Sequence, residues 1–213
     1  MPPGRVARSV RGATRPRRRI RLDNDQRRAQ LLELAKRAFS DRSYDEVSID
    51  DLARKAGISK GLLYHYFPTK RAFYVAAISE AARVLVERTE TDPSRPPIER
   101  LREGLDVFHA YVARHGSKYA AILRGGVGSD RDVFDIIDGA RELFIRRIIE
   151  GLGLGEPSPL LHGALRGWIG FLEVTVLDWL EKRRIDRIAL RELQLEVLLA
   201  AIRAAVGAAP DET

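Results

Sequence analysis

The chain has 213 residues, 45% of them hydrophobic and 31% charged, proportions that suit an ordinary globular protein with a sizeable core. Cysteine is absent, which excludes disulfides, thiol catalysis and cysteine-ligated metals and fits a reducing compartment. The net charge of +7 is uneven: residues 1–22 hold eight arginines and no acid, and the remainder carries 29 basic against 30 acidic residues. The positive charge is therefore a tail, expected to be a disordered arm that touches phosphates rather than a merely solubilising end. Leu22-Asp23-Asn24-Asp25 interrupts any signal-peptide pattern, and no apolar run is expected to reach the roughly 20 residues that span a bilayer. No membrane partner is expected, and the cytoplasm is the expected compartment.

From Asp23 onward apolar residues recur at helical spacing, strand-like alternation is scarce, and Gly or Pro marks the breaks, which predicts an all-α fold. Asp23 with Gln26 forms a capping box, and Leu31, Leu32, Ala35, Ala38 and Phe39 follow at helical spacing. Asp41-Arg42-Ser43-Tyr44 reads as a turn. Ser48 caps a second, short helix with Asp51 as its reciprocal acid, and Gly57 ends it. Ser59 caps a third from Lys60 to about Phe67, closed by Pro68, and Thr69 caps a fourth from Lys70 to roughly Arg88. Residues 91–97 form a proline-rich linker, beyond which the breaks predict helices near 98–115, 117–124, 130–151, 159–183 and 187–207. The expected organisation is an arm (1–22), a DNA-binding unit (23–69), a larger sensing and dimerising unit (70–207) and a short tail (208–213).

Residues 48–67 are the most informative. Two short helices meet at Ala56-Gly57-Ile58-Ser59, where Gly57 suits a left-handed helix end and Ile58 plugs the angle between them. Leu52, Ala53, Ala56, Ile58 and Leu63 form the inward face, small where two helices approach closely. That is the build of a helix-turn-helix, whose second helix enters the major groove with its N-terminal residues leading. Lys60, Gly61 and Leu62 lead here, followed a turn later by Tyr64 and His65, which offer planar donors. Ser48, Ser59 and Lys70 stand where helix N-termini present backbone N–H groups to phosphate.

The stretch Ser48-Ile49-Asp50-Asp51-Leu52-Ala53-Arg54-Lys55-Ala56-Gly57-Ile58-Ser59-Lys60-Gly61-Leu62-Leu63-Tyr64-His65-Tyr66-Phe67-Pro68-Thr69-Lys70 closely resembles the DNA-binding domain of TetR/AcrR-family repressors, from about Leu31 to Tyr74. The resemblance implies nine helices, a homodimer on double-stranded operator DNA, and contacts from Ser48, Lys60, Gly61, Leu62, Tyr64, His65, Tyr66 and Lys70. Leu63 and Phe67 fall at its buried positions. Asp50 stands where many members carry Arg, so base reading from the second helix is not expected, and Ser43 stands where many carry Gly.

The larger half holds aromatics on helices expected to surround a cavity: Phe108, Tyr111, Tyr119, Phe134, Phe144 and Phe171, with His109 and Glu173 as further polar anchors. An apolar or amphipathic small-molecule effector is expected, not a sugar or a metal. On residues 159–183, Leu165, Trp168, Leu172, Val176 and Trp179 form one stripe, and the helix is apolar on more than one face. That stripe, with Leu198 and Ile202 of the last helix, is the expected dimer interface; the resemblance likewise implies dimerisation through the last two helices. Arg166 and Glu173, seven apart, share a face, and an ion pair is the plainer expectation for either.

No metal-ligand set, phosphate loop or nucleophile elbow is found, so no metal, cofactor or enzymatic activity is expected. A ligand-responsive transcriptional repressor is the expected function. Its rivals are a ligand-independent nucleoid-type protein, marked by thousands of weak genomic sites, and a small-molecule carrier that selects no DNA sequence. Deleting residues 1–20 should weaken binding to every DNA sequence and flatten its salt dependence, by roughly 0.9 in log–log slope for each phosphate that the arm neutralises. Titrations at several salt concentrations check this, and an unchanged slope would leave the arm as a solubility element.

Overall fold

The computed structural model describes residues 24–41, 44–123 and 130–207; the arginine-rich arm, Asp23, Ser43 and the 208–213 tail lie outside them. Among the described residues there are eight helices and no strand: α1 (Asn24–Asp41), α2 (Ile49–Ala56), α3 (Lys60–Tyr66), α4 (Lys70–Arg88), α5 (Pro97–Ala121), α6 (Arg131–Leu152), α7 (Pro159–Lys182) and α8 (Arg187–Gly207). The helices expected at 98–115 and 117–124 join end to end as α5, so the expected nine become eight. The break survives as a kink at His115, whose backbone leaves the helical region at φ −122° and ψ 21°. Gly116 follows it, and a Cβ there would come within 3.0 Å of the Leu180 side chain. The kink lets α5 lie directly on α7.

Three of the expected caps form; the one at Asp23 lies outside the described residues, and the Asp51 carboxylate engages Arg54. Ser48 Oγ accepts from Asp51 N, Ser59 Oγ from Leu62 N at 3.1 Å, and Thr69 Oγ1 from Ala72 N at 2.9 Å. Gly57 ends α2 with φ at 66°, a conformation that disfavours any side chain. Around these turns the N-terminal core closes: Leu31 and Ala35 from α1, Leu52 and Ala53 from α2, Leu63 from α3, and Phe73 and Ala77 from α4. The fourth helix thus completes the first core before it runs into the body, which α5 to α8 enclose.

In the body α7 and α8 pack as a hairpin, with Trp168 Nε1 donating to Gln194 O at 2.8 Å and Trp179 Nε1 to Ile185 O at 3.1 Å. The stripe expected at a dimer interface faces this way. Leu165, Trp168, Leu198 and Ile202 belong to one core with residues of α5 and α6, and Val176 and Trp179 belong to a second with Leu85, Phe108, Val112 and Leu190. Leu172 packs, half-buried, against both. Six of these residues are buried inside one protomer, so the interface expectation is corrected at Leu165, Trp168, Val176, Trp179, Leu198 and Ile202, whereas Leu172 keeps part of its surface exposed. The physical reason is that a broad apolar helix has two sides, and the large side chains fill the deeper one.

By length and composition alone α7 is apolar enough to cross a membrane, contrary to the expectation that no segment is. Leu161, Leu165, Trp168, Ile169, Val176 and Trp179 are nevertheless buried against protein, and two of its charged groups are paired with α6. Arg166 pairs with Asp138 and Glu142, and Glu173 with Arg141. Glu substituted at Val176, which is fully buried, would bury an unpaired carboxylate. Val176→Glu should cost on the order of 3–5 kcal/mol and unfold or aggregate the chain rather than yield a folded monomer, as urea denaturation would register.

Candidate DNA-reading surface and effector cavity

The third helix divides cleanly between inside and outside. Leu63 is fully buried and Phe67, which caps the helix, nearly so, both locked in the N-terminal core. Lys60, Gly61, Leu62, Tyr64 and His65 are exposed along the other face. Tyr66 is half-buried against the core, its ring edge-on to His65 at 5.6 Å, so it sits at the rim of that face. A Cβ on Gly61 would meet only Ser59 Oγ, at 4.0 Å, so the helix start lies open to a close partner.

The flanking residues are already oriented. Ser48 and Ser59 use their oxygens as caps, leaving each hydroxyl proton to donate outward. Lys70 donates to Asp45 O at 3.2 Å and stands over the Tyr44 ring at 4.6 Å, which holds its ammonium at the mouth of the preceding turn. Lys60 is held by Asp50, whose carboxylate lies 3.0 Å away and raises the ammonium pKa. That pairing spans ten residues and crosses the turn, so no local spacing announces it.

Within the body lies a cavity of about 1020 Å³, walled by α1, α4, α5, α6 and α7. It is at the upper end of the range for small-molecule sites. Phe108, Tyr111, Tyr119, Phe144 and Glu173 line it, as the sequence suggested. Three expected residues do not. Phe134 is 37% exposed on α6, and Phe171 packs against the core on another side of α7. His109 is fully buried behind the wall, its Nε2 2.7 Å from Gln194 Oε1 and its ring stacked on Trp179. Because Gln194 Nε2 donates to Thr175 Oγ1 at 2.8 Å, its oxygen is the acceptor and His109 Nε2 the donor. Burial holds the imidazole pKa down, so this chain of polar groups is a neutral core tie and not a ligand anchor.

Among the polar groups that line the cavity is Arg141, which grips Glu173 through Nε at 3.0 Å and Nη2 at 2.8 Å. The Tyr119 phenol lies in the field of this pair, and burial pushes its pKa far up, so it stays a neutral hydroxyl. Tyr111 is committed elsewhere, donating to Ala81 O on α4 at 3.3 Å. Arg141 was missed from sequence because its partner is 32 residues away on another helix. The cavity also reaches Phe39, Tyr44 and Tyr74 beneath α1, so it is not confined to the larger half.

A helix-turn-helix with an open recognition face, borne by a hollow helical body, defines the class of regulators that pair a DNA-binding unit with a small-molecule chamber. Residues 31–77 match the family described as bacterial regulatory proteins, tetR family, and residues 97–201 match the tetracyclin repressor-like C-terminal domain. The chain belongs to the TetR family. A crystal structure of a tetR-family transcriptional regulator from Streptomyces coelicolor superposes with a TM-score of 0.73 at 32% identity, over 90% of this chain and 93% of that one. The HTH-type transcriptional activator FasR of Mycolicibacterium smegmatis is 35% identical over 123 residues, 53% of this chain and 54% of that protein. The match thus spans about half the length of that curated relative. FadR from Bacillus subtilis, crystallised with stearoyl-CoA, shares the fold at 21% identity and a TM-score of 0.65, over 82% of this chain and 98% of that one.

Tyr64, 37% exposed and outside the core, should be separable from folding. Tyr64→Ala should weaken binding to a selected DNA site by about 1–3 kcal/mol while the melting temperature stays within a degree or so of wild type. Fluorescence anisotropy beside thermal melting checks this, and wild-type affinity in the variant would place the wrong face in the groove.

Proposed function

We propose that this chain is a ligand-responsive transcriptional repressor that binds a near-palindromic operator as a homodimer. The observation that carries the reading is the double duty of α4. Phe73 and Ala77 near its start complete the core that positions the recognition helix, and Ile78, Ala81 and Leu85 further along wall the cavity. A molecule that fits the cavity in only one setting of α4 favours that setting, and with it one separation of the two recognition helices.

The effector is an apolar or amphipathic molecule of lipid-metabolite or drug size. The volume and the aromatic walls support an apolar body, and the Arg141–Glu173–Tyr119 group supports one polar anchor. That a protein of the same fold, B. subtilis FadR, holds stearoyl-CoA agrees with this chemistry.

The partner for dimerisation is a second copy, seated on the outer faces of α7 and α8. Val174 of α7 is 67% exposed, and Leu193 of α8 is exposed as well. Gly163, Gly167 and Gly170 continue the α7 face, and a Cβ on any of them would meet nothing within 4 Å. Small residues at that spacing let two helices approach closely.

Selection of DNA from a random pool by the full chain tests the reading. A palindrome with half-sites one helical turn or a multiple apart supports it. Many weak unrelated sites favour the nucleoid-type alternative, and no enrichment favours a carrier without DNA binding. Val174→Glu should keep helicity, sediment as a monomer and lose the selected site. A panel of fatty acids, acyl thioesters and sterols should raise the melting temperature with concentration, and binders should change operator affinity. Binders that stabilise the fold yet leave DNA affinity untouched would remove the switch from the proposal.

A further inference from the structure

The surface that carries the recognition face includes a carboxylate where DNA should repel one. Asp50 lies in the first turn of α2, beside the start of α3, and duplex DNA presents a dense row of negative phosphates to any such surface. The carboxylate is not standing alone. Its Oδ1 lies 3.0 Å and its Oδ2 3.1 Å from Lys60 Nζ, with the Asp50 side chain 65% and the Lys60 side chain 51% exposed. Asp51, the adjacent acid, is engaged by Arg54 on its own helix, so Asp50 and Lys60 form a separate pair. Exposed ion pairs add little to stability, and burial gives this one no packing task.

Lys60 is the first residue of the recognition helix, the position that leads into the groove. A lysine that serves a phosphate needs an uncommitted ammonium, and this one is neutralised by its neighbour. An ammonium has three donors, and a carboxylate has lone pairs left after one is engaged. The pair therefore presents two donors flanked by an acceptor. In the major groove a G·C pair displays guanine N7 and O6, both acceptors, and then the cytosine N4 donor. That order complements the pair. An A·T pair places its amino donor between two acceptors, so the ammonium cannot span two acceptors side by side.

We infer that Asp50 and Lys60 act as one donor–acceptor unit that reads a G·C pair in each operator half-site, with Asp50 holding Lys60 off the phosphates. This rests on the DNA-binding function proposed above. It also reverses the expectation that Asp50 takes the second helix out of base reading.

The test is random-pool selection and salt-dependent affinity with the full chain: wild type, Asp50→Ala, Asp50→Asn, and Asp50→Ala combined with Lys60→Ala. Wild type should recover a palindrome with one fixed G·C position per half-site. Asp50→Ala should lower the preference at that position by about tenfold. It should also steepen the log–log salt slope by roughly 0.9 for each lysine released to phosphate. The double variant should lose the added slope. Asp50→Asn keeps size and polarity and supplies the same comparison if the alanine variant loses helicity. A recovered palindrome with base preference and slope unchanged in Asp50→Ala would overturn the inference while leaving the DNA-binding function intact. A wild-type chain that enriches no sequence overturns both.

Discussion

Everything in this molecule hangs on the burial of one helix in two cores. Phe73 of α4 is fully buried among residues of α1, α2 and α3, and Leu85, three turns on, is buried against Phe108 and Trp179 of the body. At 1.5 Å per residue, α4 spans roughly 28 Å, and a helix of that length transmits displacement and tilt almost undiminished. The recognition helix shares its core with α4 and with α1, and both of these also pack against the body. Its place relative to a second copy therefore follows how α4 and α1 pack.

A second tie reinforces the first. Arg71, in the opening turn of α4, grips Asp130 through Nε at 2.9 Å and Nη2 at 2.8 Å, and reaches Asp132 with Nη1 at 2.8 Å. Asp130 also caps α6 by accepting from Asp132 N and Val133 N, and the Arg71 guanidinium holds its carboxyl below the usual range. The start of α4 is thus fastened to the start of α6. The same two helices both line the cavity further along, with Ala81 and Leu85 on one and Arg141 and Phe144 on the other.

Polar groups in the body fall into two kinds. The chain His109–Gln194–Thr175 is spent on joining α5, α8 and α7, and its low-dielectric setting keeps the imidazole neutral. Arg141 and Glu173 are instead paired at the cavity wall, where the guanidinium retains donors beyond the two that Glu173 takes. Position, not residue type, separates a tie within the core from a pair that faces the cavity.

The sequence by itself determined the local structure. The caps at Ser48, Ser59 and Thr69, the left-handed Gly57 and the small inward face of residues 52–63 depend on neighbours a few positions apart, and all are legible as such. The aromatic walls were legible too, since Phe108, Tyr111, Tyr119 and Phe144 recur on amphipathic helices. Tertiary structure alone decided which side of α7 is inner. Periodicity shows that Trp168, Val176 and Trp179 share a stripe, but not whether α8 of the same chain or another molecule covers it. It alone also decided that His109 lies behind the cavity wall, that Arg141 meets Glu173, and that Asp50 meets Lys60 across a turn. Caps and helical faces follow from backbone hydrogen bonds only a few residues long. Burial and charge pairing follow from which helices meet, and that is set by the fit of side chains distant in the chain.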